Sequence, residues 1–297
     1  MLEVKNLTKS FNSLIAVNNV SFSIDKGEIF GLLGPNGAGK TTIIRCILDI
    51  LKPDSGIISY NGQNYDLKKV TGYLPEERGL YMKSRVFDLL IYYGKLKARS
   101  TSFLVNRLEY LLEKLELKDI EQKRVYQLSK GNQQKVQLIA TLISDPEIVI
   151  LDEPFSGLDP INQQLVKDLI QEISREDKIT ILSSHQMEIA EKLCHKILLI
   201  NKGRTIHYGL LSEIKKIYGH TSLHVRASNI QNDLGNFDEI ESADIYENYA
   251  ELQLKNNIDV SAFIKKLVGK YHVSYLELKE PSLHRIFIES VKKSNQQ

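Results

Sequence analysis

The sequence predicts an α/β chain with a mixed or parallel sheet core, an antiparallel strand region, a helical region and a small C-terminal α+β domain. Three observations predict it. Gly34–Thr42 is a glycine-rich loop set between an apolar strand and a helix. From Asp145 to about Tyr208, short strands apolar on both faces alternate with amphipathic helices, the pattern of a parallel sheet covered on both sides. After about Gly219 the texture changes to short alternating strands around one amphipathic helix.

Taken in order, Leu2–Lys5 and Val20–Ile24 alternate as half-buried strands, and Asp25-Lys26-Gly27 is a turn before the strand Glu28–Leu33. Gly56–Tyr60 followed by Asn61-Gly62 reads as a strand entering a hairpin turn. Leu104, Leu108, Leu111 and Leu115 form a core-facing helical stripe, and a second amphipathic helix carries Val136, Ile139, Ala140 and Ile143. Glu147–Leu151 is a buried strand. Asp159-Pro160 starts a helix, an N-cap acceptor followed by proline in the first turn, and that helix buries Val166, Leu169, Ile170 and Ile173. Ile179–Ser183, Gln186–Leu193, Lys196–Ile200 and Thr205–Tyr208 follow as strand, helix, strand and strand. Beyond Gly219, strands are expected at 221–226, about 240–246, 249–255 and 271–279. A helix with Val260, Phe263, Ile264 and Leu267 lies between the last two. This is the order of a ferredoxin-like unit, with a weak first helix near Asn229–Leu234.

The bulk numbers exclude several functions. In 297 residues there are 39 Lys plus Arg against 37 Asp plus Glu, a net charge of +2, which leaves no large positive field for nucleic acid. No nucleic-acid partner is expected. Apolar residues make up 42% and charged residues 26%, as in an ordinary globular protein. Cys46 and Cys194 sit alone in apolar surroundings and read as small buried hydrophobes; His195 beside Cys194 has no second ligand at zinc spacing. The N-terminus has no apolar core of signal-peptide length, and the longest apolar runs are far below the ~20 residues that cross a bilayer. A cytoplasmic chain is expected.

The loop carries the chemistry. Gly34-Pro35-Asn36-Gly37-Ala38-Gly39-Lys40-Thr41 fits G-x-x-x-x-G-K-[ST] after a strand and before a helix, the context that gives the motif meaning. Its glycines let backbone N–H groups form an anion nest closed by the helix N-terminus. Lys40 is placed for the β- and γ-phosphates, Thr41 for magnesium and Thr42 for the α-phosphate. Ile148–Leu151 ends in Asp152 and Glu153; Asp152 is expected in the magnesium shell opposite Thr41, and Glu153 beside the attacking water as general base. His185 follows Ser183-Ser184 at the carboxyl end of the next strand, where ligands of open α/β sheets sit. It reads as a γ-phosphate sensor that also steadies Glu153. Ser129 in Leu128-Ser129-Lys130-Gly131-Asn132-Gln133 caps the second amphipathic helix, whose first-turn N–H groups make a second anion site. One chain does not need two γ-phosphate sites, so this one points to completion by another molecule.

These elements in this order resemble the ATP-binding subunit of an ABC transporter, over about residues 1–215. Phe11 falls where that family stacks an aromatic on adenine, Gly34–Thr42 matches its Walker A motif and Ile148–Glu153 its Walker B motif. Leu128–Gln133 matches the signature motif, Ser156-Gly157-Leu158-Asp159 the D-loop and His185 the H-loop. Four positions depart. Glu76 stands where the family usually has the Q-loop glutamine, Lys130 and Asn132 replace the signature's Gly and Gln, and Lys135 replaces an Arg. Glu76 still offers a magnesium ligand but lacks the amide's donor. Pro75-Glu76-Glu77-Arg78-Gly79-Leu80-Tyr81 and the Glu280–Phe287 extension are similar to bacterial export ATPases of the sodium and drug or peptide efflux type.

The resemblance implies an ABC-type P-loop cassette at 1–218 with a helical subdomain at about 84–146; the change of texture sets off an α+β accessory domain at 219–290 and a polar tail at 291–297. It implies ATP and Mg²⁺ as cofactors. It implies two partners, an integral-membrane permease subunit and a second ATP-binding subunit, identical or not. The chain is then peripheral on the inner face of the membrane, with 76–91 docking the permease through Leu80, Tyr81, Met82, Val86 and Phe87. Nucleotide contacts are expected from Phe11, Gly34–Thr42, Glu76, Ser129, Gly131, Asn132 and Asp159. A P-loop GTPase is disfavoured because Asn201-Lys202-Gly203-Arg204 lacks the aspartate of N-K-x-D. A soluble ABC ATPase of translation or DNA repair stands as the alternative from another class.

Overall fold

In a computed structural model, which describes residues 1–63, 66–77, 79–218, 222–227, 237–246, 249–255 and 258–294, the first strands run longer than the alternation implies. β1 (Leu2–Phe11) and β2 (Leu14–Ile24) pair antiparallel, with register shifts around Leu7 and Lys9. Asn6 and Asn19, at φ 50° and 52°, interrupt the period of two, so alternation shows on only part of each strand. β3 (Ile29–Leu33) leads to α1 (Lys40–Ile47), and β4 (Ser55–Tyr60) adds to β1 to complete a three-stranded sheet, β2-β1-β4. Asn61 and Gly62 both have positive φ, 51° and 75°, which suits the tight turn expected there. Its returning arm, among the described residues, is the single bridge Tyr60–Gln63. α2 (Leu67–Val70) and β5 (Thr71–Leu74) follow.

The helical region holds α3 (Val86–Leu96), α4 (Thr101–Lys114), a 3₁₀ turn at Val125–Gln127 and α5 (Lys130–Leu142). Ser100 caps α4 by accepting from Phe103 N at 3.3 Å, and the leucine stripe from Leu104 to Leu115 is buried. α5 is not amphipathic as expected: Gln133, Gln134, Lys135 and Gln137 are buried along with Val136 and Ile139. Then come β6 (Ile148–Asp152), α6 (Pro160–Ser174), β7 (Ile179–Ser184), α7 (Met187–Leu193), β8 (Lys196–Asn201) and β9 (Arg204–Leu210). The six-stranded sheet has the order β5-β6-β7-β3-β8-β9, parallel except for the last pair. β3, β6 and β7 are buried throughout, which is why their sequences are mostly apolar on both faces instead of alternating, with the polar residues of β6 and β7 gathered mainly at their carboxyl ends. Phe22 of β2 stacks on Phe30 of β3 at 5.2 Å, joining the small antiparallel sheet to the core sheet.

The chain divides into two compact units, Met1–Leu210 and Leu211–Gln297. That is eight residues before the boundary read from the sequence after 218. α8 (Leu211–Ile217) belongs with the second unit: Lys215 pairs with Glu280 at 3.6 Å, and Tyr218 Oη lies 2.6 Å from Ser290 Oγ. The second unit continues with β10 (Ser222–Ala227), β11 (Ile240–Ile245), β12 (Ala250–Leu254), α9 (Val260–Lys270), β13 (Val273–Lys279) and α10 (Leu283–Ser294). Its antiparallel sheet has the order β11-β12-β10-β13, the arrangement of a ferredoxin-like unit. The helix expected near Asn229–Leu234 lies outside the described residues. The stretch read as a polar tail from 291 is helical through Ser294, because α10 is anchored by the fully buried Leu283 and Ile286. Among the described residues, no helix is long and apolar enough to cross a membrane.

Candidate active site

β3 carries the glycine-rich loop into the middle of the sheet, between β7 and β8, and the loop is wedged there by backbone contacts. A Cβ on Gly34 would stand 2.3 Å from the Ile200 carbonyl oxygen. Gly39, at φ 108°, would meet the Ala16 carbonyl oxygen at 2.4 Å, so no L side chain fits. The β8–β9 turn backs the loop: Gly203 N donates to Ala38 O at 2.9 Å, and Asn18 N donates to Gly203 O at 2.8 Å. The Lys202-Gly203 turn, which lacks the aspartate of a guanine-binding motif, thus supports the phosphate loop through Gly203. Its turn chemistry was legible, but not its partner. α1 opens at Gly39 with no side-chain cap, leaving its first-turn N–H groups for an anion. Lys40 Nζ donates to Gly34 O at 2.7 Å and Pro35 O at 3.1 Å. Burial lowers its pKa, opposed by Glu153, Asp152 and Glu76.

At the end of β6, Asp152 Oδ2 accepts a hydrogen bond from Thr41 Oγ1 at 3.1 Å. Burial raises the Asp152 pKa, and its Oδ1 is buried with no hydrogen-bond partner among the described residues. An orphaned carboxylate oxygen beside a hydroxyl is the hard-oxygen donor set that magnesium takes, with water and phosphate filling the other positions. The residues therefore fit the ion.

Glu153 has φ 50°, a left-handed conformation uncommon for a glutamate. The end of β7 holds it: Glu153 N donates to Ser183 O at 3.0 Å, and its Oε2 accepts from Ser184 Oγ at 3.1 Å. Its Oε1 accepts from His185 N at 2.8 Å and lies 2.7 Å from His185 Nδ1. The expected pairing of Glu153 with His185 is thus present as a direct contact.

A cleft of about 720 Å³ collects Phe11, Lys40, Thr41, Glu76, Asp152 and Glu153, together with Asn36–Gly39 and Thr42. Ile15, Ala16 and Lys202 also line it, and the sequence reading missed all three. Phe11 stands exposed at the end of β1, with Lys9 Nζ 5.7 Å from its ring centre. Ser129, Gly131, Asn132 and Asp159 line no part of this cleft. Ser129 Oγ accepts from Asn132 N at 3.2 Å as the cap of α5, and Asp159 Oδ1 accepts from Asn162 N at 2.9 Å as the cap of α6.

The buried polar residues of α5 are ties to its surroundings. Gln134 Nε2 donates to Pro154 O at 3.4 Å; Gln137 Nε2 donates to Pro75 O and Glu77 O, both at 3.2 Å. Lys135 Nζ donates to Leu115 O at 2.9 Å and Asn162 Oδ1 at 2.8 Å, so lysine fills this supporting position with both contacts made.

An anion nest under a parallel sheet, a buried Thr–Asp oxygen pair and a Glu–His pair at the neighbouring strand ends define a P-loop nucleoside triphosphatase. The sequence matches the family described as "ABC transporter" over residues 17–156. It also matches "ATP-binding protein DrrA1-3-like, C-terminal domain" over 209–291. It is 40% identical to the uncharacterized ABC transporter ATP-binding protein YhaQ of Bacillus subtilis (strain 168), covering 98% of both chains. It is 34% identical to the Nod factor export ATP-binding protein I of Rhizobium sp. (strain N33), over 70% of both chains. Among solved structures, the ATP-binding subunit of an ABC transporter superposes with a TM-score of 0.69 at 30% identity, over 74% of this chain and 93% of that one. The chain belongs to the ATP-binding proteins of ABC transporters. It binds and hydrolyses ATP, and subunits of this family work as dimers on a membrane permease. Nothing in these likenesses points to translation or DNA repair.

Proposed function

We propose that this chain powers an exporter from the cytoplasmic face of the membrane, as one half of a head-to-tail pair that closes on ATP. The observation that carries the reading is the separation of donors. Lys40 and the nest share one cleft, while Ser129, Gly131, Asn132 and Asp159 lie outside it. A second subunit facing the first head to tail supplies the missing donors, and two-fold symmetry gives two composite sites. Phe11 stacks on adenine, and Gly34–Thr42 holds the phosphates. Thr41, Asp152 and Glu76 would hold Mg²⁺, which when bound would neutralise phosphate charge. Glu153, steadied by His185, polarises the attacking water; a base so placed contributes typically ~10²–10⁴ in rate. The export direction is supported by likeness to a Nod factor export protein.

The permease docks in a groove of about 460 Å³, lined by Leu48, Tyr73, Leu80, Tyr93, Leu96 and Lys97 and reached from Glu76 along its own segment. Of the residues expected to be displayed there, Tyr81 is 61% and Met82 41% exposed, but Val86 is 0% exposed. That corrects the sequence reading. Val86 opens α3 facing inward, since an apolar first-turn residue packs as readily as it is displayed. Tyr81→Asp should therefore uncouple transport while basal ATPase and melting temperature stay near native. Val86→Asp should unfold the region, with roughly 3–5 kcal/mol lost for a buried unpaired charge. Transport and ATPase measured on both in vesicles test this; native coupling in Tyr81→Asp rules out the docking site. The second unit modulates transport, so a chain ending at Leu210 should keep ATP hydrolysis.

A further inference from the structure

Glu76 is the one polar wall of the cleft where the chain departs from the pattern it otherwise follows, and its surroundings give that departure a consequence. The segment is fixed in place: Gln137 Nε2 holds the carbonyls on both sides of it, Pro75 O and Glu77 O, at 3.2 Å. Three carboxylates then face the cleft, Glu76, Asp152 and Glu153, against the ammonium groups of Lys40 and Lys202. All three carboxylates act on Lys40, each favouring its charged form. With two cations against three anions, the cleft has one excess negative charge before a ligand enters it.

A bare nucleoside triphosphate is a polyanion, and that excess opposes it. A bare divalent cation finds an incomplete shell: among the described residues no three acidic, histidine or cysteine groups converge on one point, so Thr41 and the carboxylates would supply only part of it. Each lacks what the other brings. The phosphates complete the metal's oxygen shell, and the metal offsets the carboxylates around Asp152, whose Oδ1 has no hydrogen-bond partner among the described residues.

We infer that Glu76 biases the cleft toward the metal–nucleotide complex and against the metal-free triphosphate. The inference rests on the metal site proposed above and adds the residue that sets its selectivity. Glutamine at 76 would keep the shape and remove one negative charge, leaving the cleft balanced. Coulomb interaction over a cleft of this size, discounted for the exposure of Glu76, makes one charge worth roughly a five-fold change in affinity for a polyanion. The metal complex carries less net charge and should respond less.

Titration with a fluorescent ATP analogue, in magnesium and in EDTA, tests this on the full chain. Glu76→Gln should bind the analogue roughly five-fold tighter than native in EDTA, and in magnesium the gain should shrink or reverse, because the amide then replaces a proposed metal ligand. Glu76→Asp keeps the charge and should retain the native gap between the two conditions. Raising the salt should erase the gain in EDTA, which a purely structural effect would not do. No gain in EDTA for Glu76→Gln, an equal gain in both conditions, or Glu76→Asp behaving like Glu76→Gln would each overturn the inference. A native chain that binds no analogue even with magnesium would instead overturn the nucleotide site itself.

Discussion

The phosphate loop and the start of α5 are both helix N-termini offered to phosphate, yet they are built differently. At Gly34–Thr42, added Cβ atoms would strike the carbonyls of Ile200 and Ala16, and the loop is tied to the β8–β9 turn. At Ser129–Asn132 the chain is at the surface. A Cβ on Gly131 would find only Leu158 Cδ2 at 3.6 Å and Gly157 O at 3.9 Å. The difference teaches a division of labour. The loop is pre-organised by its own chain and can hold phosphate alone. The α5 terminus has its cap satisfied internally, leaving its remaining first-turn donors for a ligand held by another molecule.

Substitutions at the two ends should break or sharpen this comparison. Lys40→Ala should have the largest effect, lowering ATP affinity roughly 100-fold, because it removes charge-assisted hydrogen bonds from a buried site. Stacking on Phe11 would leave weak binding of similar strength for ATP and ADP. Fluorescent-nucleotide titration of the isolated chain checks both points. Gly39→Ala should follow, with roughly a ten-fold loss in the same titration, since it combines a left-handed φ with a backbone clash at 2.4 Å. Gly131→Ala should have the smallest effect on the isolated chain. Its ATP affinity should stay within two-fold, and its stability should rise by up to about 0.5 kcal/mol from helix propensity. Equal losses at Gly39 and Gly131 in isolated chains would erase the distinction.

The same contrast explains what the sequence could reveal. Gly34–Thr42, Asp152, Glu153 and His185 were legible because each sits within a few residues of the strand end that positions it. The support from Ala16 and Gly203 was not, because it runs through backbone atoms and leaves no side-chain pattern. α5 misled for a related reason. Gln133, Gln134, Lys135 and Gln137 look solvent-facing by polarity, but backbone carbonyls satisfy at least one polar group of each, and the helix is buried on nearly every side. Val86 failed in the opposite direction, being apolar beside genuinely displayed residues. The two-unit organisation was visible as a change of texture. The membership of α8 rests on long-range contacts from Lys215 and Tyr218 that no local pattern carries.

The central claim is that the two anion sites meet only across a pair of subunits, and light scattering in saturating magnesium-ATP tests it most directly. Glu153→Gln keeps both binding surfaces but slows attack by water, so ATP should trap it as a stable dimer while the nucleotide-free protein stays monomeric. Adding Ser129→Arg, at an exposed cap, should return that protein to monomers that still bind ATP through Lys40. A Glu153→Gln protein that binds ATP yet remains monomeric, alone and with its permease, would contradict the composite site.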